Sequence, residues 1–297
     1  MEETATVSMT ETITNTINTL FSNMFSSIDN SLYGVLDEIT FINSEIINNN
    51  FFKNILGQNS INNIIIICNS LLFGFVLYYL VTFLLSHLVY CKAEKPGQFV
   101  FKLLFCSILI NSSFFICEKI IFLFSTTSLA IRSLGEGIFG YNMCFSYLIE
   151  RLNLSTLFGG STFNAFSMDG LIKGFISIGL LNLVFSYSLR YILVQVFILV
   201  YPFAILMLIN SSTVWIFKAW IKNFLSLLFL QVFISIIFLI VFSLDFSLND
   251  MFSKIIFVGG IYALIKANSI LKEIIGGVSI TTSASTSGLR SMITGGK

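Results

Sequence analysis

The chain has 297 residues, of which 56% are apolar and only 10% are charged, and its formal net charge is +1. An ordinary soluble domain carries about 25% charged residues, so this composition excludes a typical soluble globule and favours a protein that lies in lipid. The small net charge argues against a nucleic-acid-binding globule, and five cysteines without paired spacing argue against a disulfide scaffold.

The first predicted element is an amphipathic helix over residues 12–48. Apolar side chains recur there at steps of three and four residues, and the opposite face carries Thr, Asn, Ser, Asp and Glu. We expect this helix in an extracytoplasmic region spanning residues 1–60. It would lie on the outer leaflet or its own spans, or contact another copy or an outside partner. Its contact face would comprise Ile17, Leu20, Met24 and Ile28.

A transmembrane domain is predicted over residues 61–275. A helix needs about 20 mostly apolar residues to cross about 30 Å of hydrocarbon. Five segments meet this requirement: 64–90, 99–124, 171–201, 223–244 and 255–271. We expect an outer loop with short helices at 125–170, and a flexible cytoplasmic tail rich in Gly, Ser and Thr at 276–297. The sequence thus predicts an all-α, polytopic membrane protein.

The apolar stretch 171–209 is long enough for one span or two. A sixth span would move Lys218, Lys222 and the basic tail to the outer side of the membrane, against the rule that basic loops stay in the cytoplasm. We therefore predict one long helix that ends near Pro202. A short apolar segment at the inner interface would follow it.

The distribution of charge predicts the orientation of the chain. With five spans, the segments on one face carry nine basic and two acidic residues, and those on the other face carry six basic and thirteen acidic residues. Basic segments remain in the cytoplasm. We therefore expect the N-terminus outside and the C-terminus in the cytoplasm.

The sequence offers no recognisable catalytic motif. The patterns of zinc hydrolases, serine hydrolases and phosphate-binding loops are absent. The only histidine, His87, is expected to be an interfacial or packing residue. We therefore predict a protein without enzymatic activity, cofactor or metal.

Polar side chains inside the spans form the candidate site. Asn182, Ser186 and Arg190 are spaced by four residues, so they share one helical face with Gln195 on its flank. Two interpretations are open. The side chains could make interhelical hydrogen bonds while Arg190 reaches the inner head groups, or they could face a lumen or subunit interface. Polar residues of the next span complete the set: Gln231 and Ser235.

One stretch of the chain carries a family resemblance. A long helix reaches Tyr-Pro-Phe-Ala at 201–204, Phe-Lys-Ala-Trp follows at 217–220, and the next span contains Gln231. This arrangement resembles the VirB6/TrbL family, the inner-membrane subunits of type IV secretion and conjugation systems. The resemblance covers about residues 170–275 by motif and the whole chain by topology. The family-like positions are Pro202, Phe217, Lys218 and Trp220.

The resemblance implies a non-catalytic subunit of the bacterial cytoplasmic membrane. Such a subunit would form homo-oligomers, with a ring expected, and would contact the secretion ATPase and other membrane subunits. It would help to pass single-stranded DNA with its coupled protein, or protein cargo. A permease or secondary transporter subunit is one alternative, although no repeat relates the two halves of the sequence. A membrane anchor or assembly factor is the other.

Overall fold

The computed structural model describes residues 12–19, 30–56, 63–89, 95–154, 168–244 and 251–275. Every regular element in these ranges is a helix, which confirms the predicted all-α class. The helices are α1 (12–19), α2 (Asn30–Thr40), α3 (Glu45–Asn48), α4 (Asn50–Ile55), α5 (Ile64–Val89), α6 (Pro96–Asn111), α7 (Ser113–Phe139), α8 (Phe145–Leu154), α9 (Met168–Leu206), α10 (Val214–Phe242) and α11 (Met251–Ile275).

Five of the described helices are long and apolar enough to cross a membrane. The chain is therefore a multi-pass membrane protein. The apolar stretches are Ile64–Ser86 in α5, Ser113–Phe139 in α7, Gly170–Leu206 in α9, Val214–Phe242 in α10 and Met251–Leu271 in α11.

Helix α10 lies at the centre of the bundle, between α7, α9 and α11. Of its most apolar 18 residues, 67% are buried, whereas 11% of the corresponding stretch of α5 is buried. Phe124 of α7 contacts Phe229, with ring centroids 6.2 Å apart, and Trp220 contacts Phe197 of α9. Helices α7 and α10 run parallel to each other, and α9 and α10 run antiparallel. A helix that is apolar on all sides suits this central position.

The segment Asn30–Leu56 packs along α9 and into the bundle. Leu36 lies in a hydrophobic cluster with α8 to α11, and Ile47 and Phe52 lie in a second cluster with α5, α6, α7 and α9. The continuous helix predicted over 12–48 is wrong at 41–44, where the backbone leaves the helix. There the Asn43 Oδ1 accepts a hydrogen bond from the Glu45 N–H, and such local bonds compete with the helical ladder.

The outer-helix contact face is only partly described by the structure. Ile17 lies in α1 and is half-buried. Leu20, Met24 and Ile28 lie outside the described residues, as does the predicted tail 276–297. The extracytoplasmic position of this region stays a prediction.

The second predicted span, 99–124, is displaced toward the C-terminus. Helix α6 has 16 residues, about 24 Å at 1.5 Å per residue, which is too short to cross the hydrocarbon core. Ser112 separates it from α7, which continues to Phe139. The loop predicted from residue 125 is therefore wrong up to Phe139. Gly140, with φ of 78°, ends the helix in a left-handed cap and donates its N–H to the Glu136 carbonyl.

The stretch after residue 168 is a single helix, as predicted. Helix α9 runs from Met168 to Leu206, so it passes through Pro202 where we expected it to end. The proline ring cannot supply the N–H that would bond the Ile198 carbonyl. Helices α10 and α11 are also longer than the predicted spans, beginning at Val214 and Met251.

Close helix packing makes Gly135 on α7 a sensitive position. A Cβ there would overlap Met143 Sδ and lie 2.8 Å from Leu239 Cδ2, whereas a Cβ at Gly137 would meet nothing within 4 Å. We expect Gly135→Ala to lower the free energy of unfolding by about 1–3 kcal/mol through overpacking. Gly137→Ala should instead raise it by about 0.5–1 kcal/mol through helix propensity.

Thermal unfolding of both variants in one detergent checks this prediction. The close approach of α7 to Met143 and Leu239 would be contradicted if Gly135→Ala were as stable as Gly137→Ala.

Candidate functional site: a buried polar cluster

The Arg190 side chain is fully enclosed between three helices. Its Nε donates a hydrogen bond to the Leu227 carbonyl of α10 at 2.8 Å, and its Nη1 donates to the Thr40 carbonyl of α2 at 2.7 Å. Its exposed fraction is 0%, so the guanidinium reaches neither the head groups nor a lumen between copies. The part of the polar-face prediction that places Arg190 on such a surface is therefore corrected.

The bond from Arg190 to Thr40 caps the C-terminal end of α2. Thr40 is the last residue of that helix, and the last turn of α2 contains no basic residue of its own. Carbonyl groups at a helix C-terminus carry partial negative charge and lack intrahelical donors. Arg190 therefore supplies from α9 the cation that the sequence of α2 lacks.

The cluster lies near the midpoints of helices α9 and α10. Arg190 is three residues beyond Tyr187, the midpoint of α9, and Leu227 is one residue before Leu228, the midpoint of α10. Within the described residues, Lys119 and Glu118 form a salt bridge at 3.9 Å, and Arg190 takes no part in it. An ionisable residue within a membrane-spanning helix is a functional-site hypothesis by default.

Three side chains continue the cluster between α7 and α10. Ser128 Oγ lies 2.8 Å from Ser235 Oγ, and Ser235 donates to the Gln231 carbonyl at 2.9 Å. Gln231 is one helical turn after Leu227, and within the described part of the chain its buried side-chain amide has no protein partner. Ser128 was missed by the sequence analysis because it falls in the stretch assigned to a loop.

The remaining predicted polar residues are only partly buried. Asn182 and Ser186 are half-buried on α9, and the Ser186 hydroxyl donates to Asn182 Oδ1 at 3.3 Å. Gln195 lines a cavity of about 300 Å³ between α9 and the N-terminal segment. The structure thus joins Gln231 and Ser235 through Ser128 of α7, while Arg190 binds the Leu227 carbonyl, one helical turn before Gln231.

The family-like motif holds the hairpin of α9 and α10 together. Trp220 is buried, and its Nε1 donates a hydrogen bond to the Phe197 carbonyl at 3.1 Å. The next carbonyl, that of Ile198, is the one that Pro202 leaves without its usual helical donor. The Trp220 ring also stacks on Phe217, with centroids 6.2 Å apart. Lys218 is exposed on the same turn. Three of the four motif positions therefore act in packing.

Asp37 makes a second bond between a side chain and a helix end. Its carboxylate accepts hydrogen bonds from the Phe145 N–H at 2.6 Å, from the Ser146 N–H at 3.0 Å and from the Ser146 hydroxyl at 2.7 Å. These amides begin α8, so Asp37 acts as its N-cap from another helix. Beside it, burial raises the pKa of the Cys144 thiol, which keeps the thiol protonated at neutral pH.

The chemistry of the cluster is that of a hydrogen-bonded junction. It places one positive charge and several neutral polar groups at the middle of the bundle. In the described ranges no group of three or more His, Cys, Asp or Glu residues is placed to hold a metal ion. No protein-family model matches the chain, and no curated protein or solved structure is significantly similar to it.

Replacing Asp37 tests its role as the cap of α8. Asp37→Ala removes the acceptor from two backbone amides, so the free energy of unfolding should fall by about 1–2 kcal/mol. Glu150→Ala, on the exposed side of α8, should stay within about 0.5 kcal/mol of the wild type. Unfolding in detergent compares the two, and equal losses would show that Asp37 does not cap the helix.

Replacing Arg190 tests whether it holds the N-terminal segment in the bundle. Arg190→Ala leaves the Thr40 carbonyl without its donor and opens a cavity, so local release of Asn30–Leu56 should become easier by about 2–3 kcal/mol. Chymotrypsin cleavage after Phe41 should then be roughly a hundredfold faster. Lys218→Ala is the control, since that side chain is exposed. Unchanged cleavage after Phe41 would refute the role of Arg190 as a tether.

Proposed function

We propose that this chain is a non-catalytic membrane subunit of a bacterial type IV secretion or conjugation machine. The stretch from Pro202 to Gln231, with its resemblance to the VirB6/TrbL family, carries the proposal. In the structure this stretch forms the α9–α10 hairpin at the centre of the bundle. Trp220 and Gln231 are both buried there. The residues of the motif therefore lie where they affect the packing of the whole domain.

The proposed conduit lies between copies of the chain or between the chain and its partners. The interior of one described bundle is filled by α10. Helices α5, α7 and α11 present large apolar side chains outward, among them Leu84, Phe122 and Ile255. Such surfaces suit lipid. Under the proposal, other copies of the chain would cover part of them in a homo-oligomer of the cytoplasmic membrane.

The cytoplasmic contacts follow from the proposed orientation. With the N-terminus outside and the C-terminus inside, Lys218 and Lys222 at the start of α10 lie at the inner surface, and both are exposed. This basic rim would meet anionic head groups and the secretion ATPase. The cargo would be single-stranded DNA with its coupled protein, or a protein.

Deletion of the gene tests the proposed function. Transfer of the mobile element or effector should be lost, and expression of the wild-type chain from a second plasmid should restore it. Levels of the other membrane subunits should be measured in the same cells, so that loss of assembly is seen separately. Unchanged transfer after a clean deletion would reject the proposal and favour the transporter or anchor alternatives.

A further inference from the structure

We propose that the bundle binds a small monovalent anion, of the size of chloride, between Arg190, Thr40 and Gln231. Buried side chains of three helices, α9, α2 and α10, would hold it. Polar atoms without protein partners, converging side chains and an unbalanced positive charge all point to this site.

Buried polar atoms without protein partners occur on all three residues. Within the described part of the chain these atoms are Arg190 Nη2, Thr40 Oγ1, and Gln231 Nε2 and Oε1. All three residues are fully buried. A buried polar group without a hydrogen bond costs free energy, so native proteins almost always supply a partner. A bound ligand that accepts hydrogen bonds supplies that partner here.

The guanidinium of Arg190 directs its free nitrogen between α10 and the end of α2. Its Nε donates to the Leu227 carbonyl at 2.8 Å, and its Nη1 donates to the Thr40 carbonyl at 2.7 Å. The donors of a guanidinium lie in one plane with a fixed geometry, in which Nη2 shares one edge with Nε and the next edge with Nη1. The N–H groups of Nη2 therefore point into the space that α10 and Thr40 enclose.

Gln231 lies on the side of α10 that faces this space. It follows Leu227, whose carbonyl binds the guanidinium, by one helical turn. Two turns further along α10, Phe238 contacts Phe41, with ring centroids 6.0 Å apart, and Phe41 is the residue after Thr40. Residues four and seven apart share one face of a helix. The amide of Gln231 is therefore flanked along α10 by contacts with the guanidinium and with the end of α2.

The positive charge of Arg190 is unbalanced at this site. Among the described residues, no carboxylate forms a salt bridge with it. Asp37 of α2 instead accepts hydrogen bonds from the first amides of α8. A buried cation is costly unless it is paired as well as hydrogen-bonded. An anion beside Nη2 would provide the missing negative charge.

The unpartnered groups are mostly donors, which favours an anion over a water molecule. Arg190 Nη2 and Gln231 Nε2 are NH2 groups, Thr40 carries a hydroxyl, and Gln231 Oε1 is the one pure acceptor among these atoms. A water molecule brings donors of its own, whereas a halide ion only accepts hydrogen bonds. Because all these atoms are buried, the ion must be small.

Thermal unfolding of the full chain in one detergent tests the site. Sodium chloride and sodium bromide are compared with sodium gluconate at the same ionic strength, so that the screening of surface charges is equal. We expect the Tm of the wild type to rise with the logarithm of the halide concentration, by about 4 °C over about a hundredfold range above the Kd. Gluconate is too large for the site and should leave the Tm unchanged.

A matched set of variants locates the halide effect. Gln231→Met removes the amide and keeps a side chain of similar length, so at least about ten times more halide should be needed for the same rise in Tm. Gln195→Met removes an amide of α9 outside the site, and Lys218→Met removes an exposed charge. Both controls should respond to halide as the wild type does.

Two results of these measurements would overturn the proposal. One is an equal Tm of the wild type in halide and in gluconate. The other is an equal halide response of the wild type and Gln231→Met. Crystals grown in sodium bromide provide a test without substitution, in which an anomalous peak is expected between Arg190 and Gln231. A water molecule at that position without anomalous signal would also overturn the proposal.

A bound anion would join α2, α9 and α10 at one point and would so strengthen the docking of the N-terminal segment. The inference stands without the proposed function, because halide binding is measured on the isolated chain and transfer is measured in cells. A halide response combined with unchanged transfer after deletion would keep the anion site and reject the secretion role. No halide response combined with lost transfer would do the reverse.

Discussion

The enclosed guanidinium of Arg190 is the interaction on which the arrangement of the N-terminal half depends. A buried cation is costly unless hydrogen bonds replace its hydration. Here two backbone carbonyls accept from it, those of Thr40 and Leu227. One of them closes a helix, so α2 has to end beside the middle of α9. The position of the non-helical connection at 41–44 follows from that requirement.

The pairing of buried polar groups also explains how α7 packs against α10. Helix α10 is apolar around its circumference, and its few buried polar side chains include Gln231 and Ser235. Ser128 satisfies the Ser235 hydroxyl only if α7 packs against α10 at that level. Gly135 has no Cβ, so the same two helices can also approach closely further along their length, where Leu239 lies against Gly135. Small and polar residues on α7 are therefore explained by packing.

The sequence was informative where hydropathy and charge act locally. It predicted α9 as one helix, because a second span would have moved Lys218 and Lys222 across the membrane. It failed at α7, because Ser128, Arg132 and Gly135 lower the hydropathy of a stretch that is nevertheless helical and packs against α10 through Ser128 and Gly135. The partners of Arg190 and Asp37 were not predictable, since both side chains bind backbone groups that every residue carries. Only the fold determines which backbone group lies within reach.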